Sequence, residues 1–516
     1  MAADKKVYIG KYCAEETRYD QTKEQKRMDK NKYLQEIEAV NERGRYKDNW
    51  ESISGRDMPR WMRDGKFGIF IHWGPYSVPA FGSEWYSRNM YIKGSPEYEH
   101  HIEKYGPHKE FGYKDFIPLF TAPKFNPDAW AELFAKAGAK YCVPVAEHHD
   151  GFQMYRSEVS KWNAYEMGPR RDVLGELTEA LNRKGIVGGA SSHRVEHWFF
   201  MGHGKEFESD IQEPLACGDF YWPAMPEGNH HDLFSEPAPT KEFLEDWLIR
   251  CCEIVDRYHP KQFYFDWWIQ HSAVKPYLRK FAAYYYNRAD EWGEEVTICY
   301  KHDAFPFGTA TVDIERGKFA GIQPFHWQTD TAIARNSWCF TENNVFKSAK
   351  ELICDLVDIV SKNGVLLLNV GPKPDGTISD EDTSVLLDMG KWLQVNGEAI
   401  YGTNIWRKAG EGPTQTKEGQ FTDGESTVFT SQDIRFTCRG NALYAIVLKW
   451  PEDGKVTITS LAEQDASHLP LFHGIIKDVA ILGQECREWY RDSQGLHVQG
   501  GQSKEDLPAV IKITMD

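Results

Sequence analysis

Residues 126–150 read NPDAWAELFAKAGAKYCVPVAEHHD, and they contain one complete helix–strand unit. Asn126 is a helix cap with Pro127 at the first helical position, where its missing N–H costs nothing. Trp130, Leu133, Phe134 and Ala137 recur at helical spacing and form an apolar stripe. Gly138 ends the helix, because a left-handed terminal residue is easiest without a Cβ. A short apolar strand, 140–146, follows and runs into the polar tip Glu147-His148-His149-Asp150. A helix delivering a buried strand with a polar end is the repeating element of a parallel α/β fold.

The same unit recurs along the chain. Asp172 opens a helix with Leu174, Leu177 and Leu181 on one face, closed by Gly185 before strand 186–191. Thr240 opens another, with Phe243, Leu244, Trp247, Leu248 and Cys251, which ends before Pro260 and the strand Phe263-Tyr264-Phe265. A helix around 275–290 precedes strand 296–301, and a helix striped by Leu352, Ile353, Leu356 and Val360 precedes strand 365–370. With 66–72 and short strands expected near 311–315 and 320–325, the count reaches about eight, which a closed (β/α)8 barrel requires. A doubly wound open sheet is the alternative, but no Gly-rich phosphate loop follows the first strand.

Three segments result. Residues 1–50 are charged and read as an N-terminal helical arm, with a Lys/Glu-rich surface stretch at 22–45; 51–400 form the barrel. After 400 the helical signals fade. Ile434–Cys438 and Ala442–Lys449 flank a Gly440-Asn441 turn, a strong hairpin signal, and strand-like runs continue at 455–460, 476–482 and 509–514. Residues 401–516 therefore read as a β-sandwich.

Composition narrows the function. A net charge of −16 among 516 residues disfavours nucleic acid and anionic membranes, which select basic surfaces. No stretch is apolar enough to span a membrane, and no signal peptide is visible, so a cytoplasmic location is expected unless the N-terminus was trimmed from an exported form. The ten cysteines show no C-x-x-C spacing and read as small buried hydrophobes in a reducing compartment. The 18 tryptophans favour a sugar-handling protein, since flat rings pack beneath the C–H face of a sugar.

One residue stands out chemically. In Phe263-Tyr264-Phe265-Asp266-Trp267-Trp268 a single carboxylate ends an aromatic strand. Burying an unpaired carboxylate is expensive, and barrel enzymes place their chemistry at strand ends. Other tips carry His72, Glu147-His148-His149-Asp150, Ser192-His193-Arg194, Lys301-His302-Asp303 and Asp313-Ile314-Glu315-Arg316, with Glu84-Trp85 in the loop after the first strand. Each alone has a structural explanation, and Glu315 beside Arg316 matches a surface ion pair. Their convergence on one face suits glycoside hydrolysis, which needs two carboxylates. A metal-dependent barrel hydrolase using His72, His148, His149 and Asp266 competes, but adjacent strand residues point to opposite faces and a metal site favours H-x-H.

These residues lie in blocks that resemble the α-L-fucosidases of glycoside hydrolase family 29: WMRDGKFGIFIHWGPYSVPA at 61–80, FGSEWY at 81–86, HHDGF at 148–152, FYFDWW at 263–268, NGVLLLNVGPKPDGTI at 363–378 and NGEAIYGT at 396–403. The resemblance implies an exo-acting, retaining enzyme that needs no cofactor and no metal and acts on fucosylated oligosaccharides or glycoconjugates. It is compatible with a homo-oligomer. It implies Asp266 as nucleophile, with His72, Glu84, Trp85, His148 and His149 around the sugar and Tyr264, Lys301 and Trp327 completing the contacts. Many members carry their acid/base in a W-E segment, where this chain has Trp327-Gln328. Glutamine cannot donate and reclaim a proton, so Glu315 is the expected acid/base. The same glutamine, together with departures from the family pattern at Tyr264, at Lys301-His302 and at the third strand tip, motivates a second reading, a fucose-binding protein without turnover.

Overall fold

The structure, a computed structural model, describes residues 27–516 apart from 425, 466, 468 and 502–505. Eight parallel staves close into a barrel: β1 (Phe67–Ile71), β2 (Tyr141–Glu147), β3 (Val187–Gly188 and Ala190–Ser192), β4 (Gln262–Phe265), β5 (Thr297–Tyr300), β6 (Thr311–Glu315), β7 (Trp327–Ala332) and β8 (Gly364–Val370). Closure is made by β1, which pairs with β8 on one side and β2 on the other. Strands buried on both faces read as apolar runs, as FGIFI and GVLLLNV do. At Gly68 a Cβ would stand 2.3 Å from the Tyr141 ring, so the close approach of β1 and β2 depends on its absence.

The helices begin where their caps lie. The Asn126 side chain accepts from Ala129 N at Pro127–Ala137, Asp172 from Gly175 N at Val173–Arg183, and Thr240 from Phe243 N at Lys241–Tyr258. Ser348 and Glu351 form a reciprocal capping box at Ala349–Ser361. The segment expected as a surface arm contains the helix Lys30–Arg43, whose Ile37 and Val40 are fully buried beside the helix Lys275–Trp292. Residues 1–26, including the start of the Lys/Glu-rich stretch, lie outside the described residues.

The seventh stave departs from the expectation. Residues 320–325 are not a strand; β7 starts at Trp327. Phe319 lies edge-on against the Trp327 ring at 5.0 Å, and Phe325 lies beside Phe319, so their apolar character serves packing below the barrel.

After the barrel come two antiparallel sheets. Five strands (Asn404–Glu411, Ile434–Arg439, Ala442–Val447, Ala509–Met515, Ile476–Ile481) face three (Lys455–Ile458, Gly495–Gly500, Cys486–Asp492) across a core that includes Phe436, Val447, Ile458, Leu496 and Ile511. The hairpin turns at Gly440-Asn441 as expected. Cys486–Asp492 escaped the sequence pattern because its side chains are mostly half-exposed or exposed. Among the described residues, no helix is long and apolar enough to cross a membrane.

Candidate active site

The carboxyl ends of the staves surround a cavity of about 820 Å³, within the usual range of small-molecule sites. Its lining includes His72, Glu84, Trp85, His148, His149, Tyr264, Asp266, Lys301 and Glu315, nine of the ten residues expected from sequence. The tenth, Trp327, lies elsewhere. The register pairs Val312 with Trp327 and Glu315 with Asp330, so Trp327 sits three residues below the level of Glu315, roughly 10 Å down the barrel. Its ring is fully buried and its Nε1 donates to the Lys362 carbonyl. Gln328 is likewise buried in the barrel floor, where its Nε2 donates to Asp313. It therefore does not occupy the place of an acid at the cavity, which removes the glutamine as a motive for a binding protein without turnover.

Asp266 follows β4 directly and is held from three sides. His193 Nδ1 is 2.9 Å and His149 Nε2 3.3 Å from its Oδ2, and Lys301 Nζ lies 3.2 Å from its Oδ1. Burial alone would raise its pKa, but Lys301 and the two imidazoles overcome that and hold the carboxyl well below the usual range. His149 also faces the His193 carbonyl through Nδ1 at 2.9 Å. Both of its nitrogens meet acceptors, so both carry protons. Burial opposes that charge, but Glu196 and Asp266 lift the imidazole to about 9.

Glu315 ends β6 on the same rim. Its Oε2 accepts from Lys301 Nζ at 2.7 Å and from Trp267 Nε1. Two donors on Oε2 leave Oε1 as the oxygen that can carry a proton. Burial is the main cause of a pKa raised to about 7, with Asp266 and Asp330 adding to it and Lys301 opposing. Two carboxyls with pKa values driven apart, one ionised and one protonated near neutrality, are what an acid and a nucleophile require. One ammonium bonds both, so their nearest oxygens are no farther apart than 3.2 and 2.7 Å laid end to end. That places them on the retaining side, short of the roughly 6.5–9.5 Å that inverting enzymes leave for water.

Lys301 is kept charged against burial by Asp330, Glu315 and Asp266. Replacing it by methionine removes a cation that lowers the pKa of both carboxyls. Both limbs of the kcat/KM profile should then move to higher pH, by about 1–3 pH units. An unmoved profile in Lys301→Met would contradict this coupling.

The remaining polar groups suit hydroxyls. His72 Nδ1 is 2.7 Å from Asn369 Oδ1, which leaves Nε2 as an acceptor, and burial keeps the ring neutral. His148 Nδ1 is buried without a protein partner. Glu84 accepts from Trp338 N at 3.0 Å. Trp85, Phe70 and Trp338 add apolar wall. Tyr264 lies beneath Asp266 and donates to Asp330 at 2.7 Å.

Not every polar tip reaches the cavity. Glu147 accepts from Arg194 and Arg250 at 3.0 and 2.9 Å in a buried ion network, and Asp150 accepts from Tyr113 at 2.7 Å. Conversely, His193 was visible as a tip residue, but its bond to Asp266 was not. Ser337, Trp338 and Phe421 carried no sequence signal, because loops bring them in.

Among the described residues, His72, His148 and His193, and separately His149, His193 and Asp266, could each gather three ligand atoms around a metal. In the second group His193 already meets Asp266 and Ser191 through its two nitrogens, and Lys301 places a positive charge at Asp266. This donor set is built for hydrogen bonding rather than for a cation.

A closed β/α barrel with paired carboxyls of divided pKa at its carboxyl end defines a glycoside hydrolase. A family model described as Alpha-L-fucosidase matches residues 33–398, and one described as Alpha-L-fucosidase C-terminal domain matches 428–514. The chain belongs to the α-L-fucosidase family. It is 33% identical to human tissue α-L-fucosidase over 422 residues, 81% of each chain, and 33% identical to human plasma α-L-fucosidase, covering 80% of each. The cytoplasmic expectation gains no support from a relative named for plasma. The Thermotoga maritima α-fucosidase solved with a mechanism-based inhibitor is 30% identical, with a TM-score of 0.69 over 91% of this chain and 100% of that one.

Proposed function

We propose that this chain is an exo-acting, retaining α-L-fucosidase in which Asp266 is the nucleophile and Glu315 the acid/base. The observation that carries the reading is the pair of carboxyls tied to one ammonium, the first ionised and the second protonated near pH 7.

Asp266 attacks C1 of a terminal α-L-fucosyl group while Glu315 passes the proton on Oε1 to the glycosidic oxygen. The C1–O bond breaks, the leaving group departs as an alcohol, and a β-fucosyl ester remains on Asp266. Glu315, now ionised, takes a proton from water, which attacks C1 and releases α-L-fucose. His72, His148 and Glu84 hold the sugar hydroxyls, while His149, with both nitrogens engaged, positions Asp266. Trp85, Phe70 and Trp338 receive its apolar edge, including the C5 methyl. This reading takes as substrate a fucosyl group at the non-reducing end of an oligosaccharide or glycoconjugate.

Proton NMR of the first product formed from an aryl α-L-fucoside tests the stereochemistry. α-L-Fucose should appear before mutarotation. Initial release of the β anomer would overturn the double displacement.

A further inference from the structure

Beside Glu315 the cavity wall is aromatic, and half of it comes from beyond the barrel. The Trp267 ring, whose Nε1 donates to Glu315 Oε2, lies 5.8 Å from the Phe421 ring at an interplanar angle of 20°. His302 packs on Trp267 with ring centroids 3.8 Å apart. Phe421 lies between the barrel and the first long hairpin of the sandwich, and it lines the cavity although 55% of it is exposed.

An exposed phenylalanine in an awkward backbone conformation calls for a reason. Phe421 has φ +54°, a left-handed region that crowds the Cβ of any residue but glycine. Its neighbours hold it there. Phe421 N–H donates to the Glu315 carbonyl at 2.9 Å and Thr422 N–H to the Arg316 carbonyl at 2.8 Å. Asp423 accepts from Lys347 and from Thr331 at 2.5 Å each. At Gly317 a Cβ would stand 1.8 Å from the Gly419 carbonyl, so the two segments meet as closely as backbone permits. Strain maintained by this many anchors, at the edge of a reaction centre, is a mark of use.

We propose that Trp267 and Phe421 form a platform for the leaving group, binding the apolar C–H face of a hexopyranose attached to the fucosyl oxygen. The geometry follows from the acid. Glu315 must reach the glycosidic oxygen through Oε1, so the sugar on the far side of that oxygen emerges next to Glu315, and the adjoining wall is the Trp267–Phe421 pair. A flat aromatic surface binds such a face largely through contact and dispersion. Phe421 thereby acts as a specificity residue, selecting cyclic sugar leaving groups over small alcohols.

The proposal rests on Glu315 as the acid, and three substrates separate the two claims. A fucosyl–hexopyranose disaccharide needs both the acid and the platform, methyl α-L-fucoside needs the acid alone, and α-L-fucosyl fluoride needs neither. In Phe421→Ala the ratio of kcat/KM for disaccharide to that for methyl fucoside should fall roughly tenfold. Phe421→Tyr should retain the ratio. Phe421→Leu keeps apolar bulk without a flat ring, should lower the ratio as well, and serves if the alanine variant fails to fold. An unchanged ratio in both Phe421→Ala and Phe421→Leu, or an equal loss on all three substrates, would overturn the platform. Failure of the acid assignment would show separately, as a Glu315→Ala variant equally impaired on methyl fucoside and fluoride.

Discussion

Asp266→Ala should lose about four orders of magnitude in kcat on an aryl α-L-fucoside, equivalent to about 5 kcal/mol of transition-state stabilisation. The loss is large because no neighbouring group can form the ester. Glu196 is engaged with His149, and Asp330 lies lower, bonded to Tyr264 and Lys301. The variant should nevertheless retain fucose binding, since His72 and Glu84 keep their own partners and His148 Nδ1 stays without a protein partner. Azide is small enough to enter the space left by the carboxylate and attack the same face of C1. Turnover should recover with β-fucosyl azide as product. Recovery with the α anomer, or a variant within tenfold of the unmodified enzyme, would remove Asp266 from the nucleophile's role.

Glu315→Ala should behave differently, because its effect depends on how much help the leaving group needs. General acid catalysis contributes about 10²–10⁴-fold, and that loss should appear in full on an unactivated fucosyl oligosaccharide. On an activated aryl fucoside the first step should be nearly spared, so that the fucosyl-enzyme accumulates and a burst of phenol precedes slow turnover. The pH profile supplies a second readout. Glu315 donates its proton in the first step, and its pKa is raised to about 7, so kcat/KM of the unmodified enzyme should fall as the pH rises past about 7. The alkaline limb should vanish in Glu315→Ala, and azide should trap α-fucosyl azide by attacking the ester from the face that water uses. If Glu84→Ala reproduces this pattern while Glu315→Ala does not, the acid is Glu84.

Much of the site was legible because its parts are local. Asp266 stood out as a lone charge in an aromatic strand, and the caps at Asn126, Asp172 and Thr240 announced their helices within three or four residues. Trp327 was misplaced for a register reason. The expected strand at 320–325 starts seven residues before the observed one at Trp327, and at about 3.3 Å per residue three residues of register already separate the floor of a stave from its rim. The family resemblance put Trp327 at the cavity, but it opens β7 and so lies at the far end of the stave from the cavity. Phe421 was invisible because nothing around it in the chain is periodic; its position comes from backbone bonds to Glu315 and Arg316.

The sequence by itself determined the helix–strand repeat, the all-β module after it, the family, and the lone strand-end carboxylate Asp266. Period, caps and a carboxylate's burial cost act over a few residues and are written into them. Only the tertiary structure decided what joins Asp266 to Glu315. The shared ammonium, the division of their pKa values and the aromatic wall beside the acid arise where β4, β5, β6 and a distant loop converge. Those proximities are set by barrel closure and strand register, which bring together residues that share no local pattern.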